Sequence, residues 1–255
     1  MASSRSLILN LSFPDEFSLE PEYKRFAWVH DWCQSFLLPA LTSLPPNLKH
    51  FFGEDFARSG DLTGIWVLTQ DQHLKLHSPL IVEIRNCPFE QQKQILFFVI
   101  ARLPRFQAGA LDARGNGSSI AEACADKFGR SRIKEIMPSQ EWYHETMPLL
   151  KSCFEDHEIC VPQDDDVLSD LRSIKIVRGV AKVPEDEKNR GTDGKWRHGD
   201  TAIALAMAIY AVFKMEPAPI EFTAVPDSLE RWSPKEANGF NDYNDNNPDF
   251  DIGCY

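Results

Sequence analysis

The sequence predicts an α/β fold: one mixed five-stranded sheet with helices on both faces. Three observations carry this. Residues 50–86 hold three apolar, β-prone segments joined by short polar turns, the pattern of an antiparallel meander. Two further extended segments, Gly109–Ala113 and Arg132–Met137, alternate with helical patterns, as parallel β-α units do. Short connections and a right-handed crossover then return the fourth strand to the side of the first.

Taken in order, residues 1–16 show no clear period and end in Phe13-Pro-Asp-Glu16. Phe26, Val29, Trp32, Phe36, Leu37 and Leu41 recur at helical spacing, which predicts an amphipathic helix over about 20–41 that Pro39 kinks or ends. His50–Leu68 reads as a hairpin turning through Arg58-Ser-Gly-Asp61, with Asp55 interrupting an apolar strand just before the turn. A third strand lies within 74–86, centred on Leu80–Ile84, and Pro88 opens a helix that runs to about Leu103. The loop Arg114-Gly-Asn-Gly117 leads into a helix over Ile120–Phe128, and Pro138-Ser139 opens another over Gln140–Glu155. Ile159–Val161 is a short extended piece, Val167–Arg172 a helix, and Ile174–Val183 a hairpin around Arg178-Gly179. A polar loop, Pro184–His198, precedes a final helix over Asp200–Phe213. Residues beyond about Val225 are rich in Asn and Asp and are expected to be disordered. The expected organisation is a lead-in segment over 1–48, a globular domain over 49–225 and an acidic tail over 226–255.

Composition narrows the function classes. At 255 residues, 43% hydrophobic and 25% charged, the chain has ample material for a buried core. No apolar run is long enough to span a bilayer, so no membrane role is expected. The apolar segment Leu7–Leu11 is too short for a signal peptide and is followed at once by Pro14-Asp-Glu16, so a cytoplasmic protein is expected. Six scattered cysteines without a CxxC read as reduced thiols, and Cys153, His157 and Cys160 lack a fourth zinc ligand. The net charge of −11 excludes a general nucleic-acid coat. The tail from Pro226, with seven acidic and two basic residues, contributes −5 of it.

Three acids stand out under the predicted topology. Asp55 lies on the first strand, Asp112 ends the fourth, and Asp200 opens the last helix. Adjacent first and fourth strands would set Asp55 beside Asp112. Ala204, Ala208 and Ala211 share the helix face of Asp200, and small residues there let the helix lie close to the sheet. Three carboxylates without a His or Cys scaffold suit Mg²⁺ or Mn²⁺. Two such ions, roughly 4 Å apart, can activate water and stabilise a leaving phosphodiester oxygen. Each acid also has a plain alternative: Asp200 as a helix N-cap, Asp112 and Asp55 as acceptors for turn amides.

Gly53-Glu-Asp-Phe-Ala-Arg-Ser-Gly-Asp-Leu-Thr63, Ala110-Leu-Asp-Ala-Arg-Gly-Asn-Gly117 and Arg197-His-Gly-Asp-Thr-Ala-Ile-Ala204 together resemble the nuclease domain of phage terminase large subunits, those of Mu-like phages and prophages above all. The stretches Glu83–Gln92, Trp142–Pro148 and Asp166–Arg172 resemble the same group, so the similarity covers roughly residues 20–213. Each motif alone is weak; their order and number make the set specific. The resemblance implies an RNase H-like fold and a two-metal endonuclease that cuts phage DNA for packaging. Carried over by position, Asp55, Asp112 and Asp200 match the metal-binding acids. Implied partners are double-stranded DNA, a small terminase subunit, the portal or procapsid, and a separate ATPase motor chain. No GxxxxGK[ST] motif occurs, so this chain is expected to be a nuclease half without its motor. Two other readings remain open: an inactive prophage remnant or assembly module with the same fold, and another RNase H-like nuclease of resolvase or transposase type.

Secondary candidates complete the site. Lys182, Lys188, Arg190, Lys195 and Arg197 concentrate positive charge before the last helix and are the expected phosphate contacts, joined by Arg58 and Arg114 beside the metal acids. His198, Asp61 and Glu83 are reserve groups: His198 to orient a ligand or shuttle a proton, the two acids as further ligands. Trp142 and Tyr143 are expected to pack on the sheet.

Overall fold

A computed structural model describes residues 6–57, 62–115 and 117–215. The turn holding Arg58 and Asp61, the acidic tail and Cys254 lie outside the described residues. Strand β1 (Leu7–Ser12) precedes helix α1 (Glu22–Trp32), which passes through a π-turn at Cys33–Leu37 into α2 (Leu38–Thr42). The predicted helix is thus divided at the expected place. Pro39 falls in the first turn of α2, where the widened turn before it absorbs the missing N–H.

The meander follows as β2 (Lys49–Asp55), β3 (Leu62–Gln70) and β4 (Leu76–Arg85), antiparallel in sequence. Residues 62–69 of β3 are buried on both faces, hence a continuous apolar run rather than alternation. After α3 (Phe89–Ile100), β5 (Phe106–Asp112) returns parallel to β2, as the crossover rule required. Helix α4 (Gly117–Phe128) then leads to β6 (Ile133–Ile136), parallel to β5. Helix α5 (Gln140–Glu155) starts under the N-cap of Ser139, whose hydroxyl accepts from the Trp142 N–H at 3.2 Å. Next come β7 (Ile159–Cys160), α6 (Asp165–Arg172), and the hairpin β8 (Lys175–Val177) and β9 (Val180–Lys182). The hairpin turns through Arg178 and Gly179, both at positive φ. A two-residue ladder, β10 (Asn189–Arg190) with β11 (Trp196–Arg197), precedes α7 (Asp200–Lys214).

The sheet order is β1-β4-β3-β2-β5-β6, with β7 alongside β4. Its centre is the expected five-stranded mixed arrangement, a three-strand meander flanked by two parallel β-α units. The sheet is wider than expected because β1 and β7 extend it, each parallel to β4. The aperiodic N-terminus therefore hides an edge strand that, among the described residues, pairs with β4 some seventy residues away in sequence. One core lies between the sheet and α1, α2, α3 and α4; it includes Phe52, Val67, Val82, Leu96 and Ile120. The other lies between the sheet and α5, α6 and α7; it includes Phe51, Trp66, Ile81, Ala110 and Leu205. The described cysteines are free thiols, all buried but Cys160. No helix among the described residues is long and apolar enough to cross a membrane.

Candidate active site

Strand alternation puts Gly53 and Asp55 on the α7 face of β2 and Ala110 and Asp112 on the same face of β5. The ladder pairs Gly53 with Ala110 and Glu54 with Leu111, so Asp55 and Asp112 end neighbouring strands in step. Asp200 comes from the helix lying across them. A Cβ added to Gly53 would stand 2.1 Å from the Ala204 carbonyl oxygen and 2.2 Å from the Ala208 nitrogen. Helix α7 thus rests its backbone on the strand. A Cβ on Gly64, the cross-strand partner of Asp55, would meet Ala204 Cβ at 3.3 Å and the Asp200 carbonyl at 3.5 Å. Small residues on the helix were expected to permit this approach. The glycines facing them are the other half of the device.

The segment before α7 sets the helix start. Gly199 adopts the left-handed region at φ 77°, and a Cβ there would press on Val183 Cγ2 at 2.9 Å. Gly199 occupies the N-cap position, so Asp200 is the first helical residue, and its Oδ2 accepts from the His198 backbone N–H at 3.1 Å. Asp112 Oδ1 accepts from the Arg114 backbone N–H at 2.9 Å, and the Arg114 guanidinium donates to Asp112 Oδ2 from Nε at 2.9 Å and from a terminal nitrogen at 2.6 Å. Exposed over 56% of its side chain, Arg114 caps an Asp112 carboxylate only 4% exposed.

The electrostatics is that of crowded acids. Burial, then the charges of Asp200 and Asp112, push the Asp55 carboxyl well above the ordinary carboxylate range, with Arg114 opposing. Burial raises Asp200 to about 6, against the lowering effect of the His198 amide. Glu54, on the opposite face of β2, is raised to about 8 by burial and by Asp112. Asp55 and Asp200 line a cleft of about 740 Å³, with Arg114, Gln140, Tyr143, Arg178, Lys182 and His198 also on its walls. Burial pushes the Tyr143 hydroxyl up to about 12, and the nearby Asp55 and Asp112 charges add to the rise.

Among the described residues, no three His, Cys, Asp or Glu side chains stand as a ready-made ligand cluster. Asp112 is engaged by Arg114, and Asp200 by a backbone amide. The donor chemistry nevertheless fits a hard divalent cation: buried oxygen donors that repel one another at one end of a sheet.

Several expected roles are corrected. Arg197 is 1% exposed and cannot reach a phosphate; it binds Glu83 from two terminal nitrogens at 3.0 and 2.6 Å and Asp170 at 3.1 and 2.8 Å. Glu83, on β4, is held in that ion pair and is not among the residues lining the cleft. Lys195 donates to Ser12 Oγ at 2.8 Å, and Arg190 stacks over Trp196 at 5.0 Å, so loop structure occupies both. Lys188 is exposed outside the cleft lining, which leaves Lys182 as the member of that basic cluster on the cleft wall. Trp142 packs into the core as expected; Tyr143 packs against the same core, also as expected, and in addition borders the cleft. Tyr143, Gln140 and Arg178 were missed. Helical spacing of three puts Gln140 and Tyr143 on one face, a signal that becomes informative only once the orientation of α5 is known.

No protein-family model matches the chain. It is 38% identical over 206 residues to the Mu-like prophage FluMu protein gp28 of Haemophilus influenzae, covering 81% of this chain and 40% of that protein. It is 42% identical over 208 residues to the probable terminase, large subunit gp28, of Escherichia phage Mu, covering 81% of this chain and 37% of that protein. The chain thus spans about two fifths of the length of the curated relatives it matches. Among solved structures it is similar to the large terminase nuclease of thermophilic phage G20c with bound magnesium, at 18% identity and a TM-score of 0.48 over 65% of this chain and 82% of that one. Over four fifths of its own length, the chain is therefore similar to part of the gp28 proteins of phage Mu and of the Mu-like prophage FluMu.

Proposed function

We propose that the chain is the nuclease unit of a phage terminase large subunit, hydrolysing double-stranded DNA with Mg²⁺ or Mn²⁺. The observation that carries this is the seating of α7 on Gly53 and Gly64, which brings Asp200 to the sheet end where Asp55 and Asp112 lie in step. Homology to gp28 supports the same reading. Asp55, Asp112 and Asp200 would hold the ions, Asp112 exchanging Arg114 for metal. Bound there, two divalent ions supply an activated water and charge for the leaving oxygen.

The remaining side chains bind and orient. Freed from Asp112, Arg114 is placed to take up a phosphate oxygen, and Arg178 and Lys182 line the cleft along which the backbone would run. Tyr143 Oη keeps its proton at neutral pH and so acts as a hydrogen-bond donor to phosphate. Within a terminase this unit would work with a packaging motor, a small subunit and the portal, in the host cytoplasm.

The test is plasmid cleavage by the purified chain with Mn²⁺, beside Asp55→Ala. Wild type should nick and linearise the plasmid. The variant should lose more than about 100-fold in rate, beyond the 10–100-fold typical of groups that only orient a ligand. Cleavage that is absent from wild type, or that survives the substitution, rejects the proposal.

A further inference from the structure

A buried ionic cluster stands beside the cleft with no part in the chemistry above. Asp170, 0% exposed on α6, receives Arg197 from one side through Nε at 3.1 Å and a terminal nitrogen at 2.8 Å. From the other side it receives Thr201, through Oγ1 at 2.6 Å and the backbone N–H at 3.3 Å. Arg197 is itself anchored to the sheet by Glu83. One carboxylate therefore holds both ends of the five-residue turn 197–201, and Asp200 lies between its two grips. Gly199, left-handed and against Val183, leaves that turn little other freedom.

Resting on the nuclease reading, we propose that Asp170, with Arg197 and Thr201, is a positioning clamp that fixes where Asp200 presents its carboxylate to metal. Buried ion pairs add little net stability once desolvation is counted, and fixing geometry is a role that such clusters serve in some proteins. The hydrogen bonds of a group behind a metal ligand commonly alter metal affinity 10–100-fold. None of the clamp residues lines the cleft, so they act through Asp200 and leave DNA contact alone.

Thr201→Val removes the hydroxyl donated to Asp170 while keeping side-chain shape and the backbone N–H; Thr201→Ser restores the hydroxyl. Mn²⁺ binding to the full chain is measured by calorimetry, and plasmid cleavage is followed at saturating and limiting DNA. The expected result is a Mn²⁺ Kd raised about tenfold or more in Thr201→Val, with lower kcat, unchanged KM for DNA, and recovery in Thr201→Ser. Mn²⁺ affinity and kcat at wild-type level, even with a lowered melting temperature, would make the cluster merely structural and overturn the clamp. So would a loss that Thr201→Ser fails to repair, since packing would then account for it. Should Thr201→Val not fold, Asp170→Asn, which keeps shape and weakens both grips, is judged by the same binding readout. A wild type that neither binds Mn²⁺ nor cuts removes the nuclease reading and the clamp with it; a wild type that does both, with unaltered variants, removes the clamp alone.

Discussion

Glu54 and Asp55 sit side by side on β2 and face opposite layers. Asp55 shares its face with Asp200 and Asp112. Glu54 points into the core under α3 and α4, where among the described residues neither carboxyl oxygen has a hydrogen-bond partner. Both carboxyls are raised, and the sign of the consequence follows. Glu54 goes from 4.5 to about 8, and Asp200 from 3.8 to about 6, on folding. Between those values the unfolded chain holds fewer protons at these groups than the folded one, so their contribution to stability is fully present below about pH 4 and is lost as pH rises toward 8. The metal-free protein should therefore melt at lower temperature at pH 8 than at pH 5. Glu54→Gln, neutral at every pH, should remove much of that slope, and Mn²⁺ should stabilise more at pH 8 than at pH 5 by favouring the ionised acids. Thermal melts in chelator and in Mn²⁺ check this; a melting temperature that is flat or rises from pH 5 to 8 contradicts it.

The decisive element is α7. Its alanine-rich face and the glycines of β2 and β3 form a contact in which helix backbone meets strand backbone, tighter than ordinary side-chain packing. The two glycines differ in a way that can be measured. At Gly53 a methyl group would overlap the helix backbone at 2.1 Å, which cannot yield without lifting α7. At Gly64 the nearest neighbour stands at 3.3 Å, where a small shift suffices. Gly53→Ala should lower the free energy of unfolding by about 1–3 kcal/mol or more, as overpacking does, and should displace Asp200 and depress cleavage with it. Gly64→Ala should cost less on both counts. Urea unfolding of the two variants beside wild type decides it, and equal losses would mean that the helix does not lean on Gly53. The hairpin β8–β9 teaches the same lesson at smaller scale: its Arg178-Gly179 turn was legible from turn chemistry, but the arrival of Arg178 on the cleft wall was not.

At the scale of the molecule, the proposed function would require a chain of net charge −11 to bind a polyanion through few contacts. Arg114, Arg178 and Lys182 are the cations on the cleft wall among the described residues. With metal present, the slope of log affinity against log salt for duplex DNA should be no steeper than about −3, and Lys182→Ala should reduce it by about 1. Lys195→Ala, by contrast, should leave the slope unchanged, because that side chain is tied to β1. A filter-binding salt series separates these outcomes. The basic cluster also shows where reading a sequence stops. Local signals determined the meander, the parallel β-α units, the start of α5 after Ser139, and the elements that carry Asp55, Asp112 and Asp200, because hydrophobic period, turn residues and small-residue spacing are written within a few residues. Tertiary structure decided what each charge meets. Arg197 looked like a phosphate contact until Glu83, 114 positions away, and Asp170, 27 away, were seen to enclose it. Strand β1 had no readable period because it lies at the sheet edge with only Leu11 buried, and the place of Tyr143 on the cleft wall depends on where α5 packs. The reason is physical: burial and pairing are properties of what lies across a gap in space, and a chain records its own periodicity but not its neighbours.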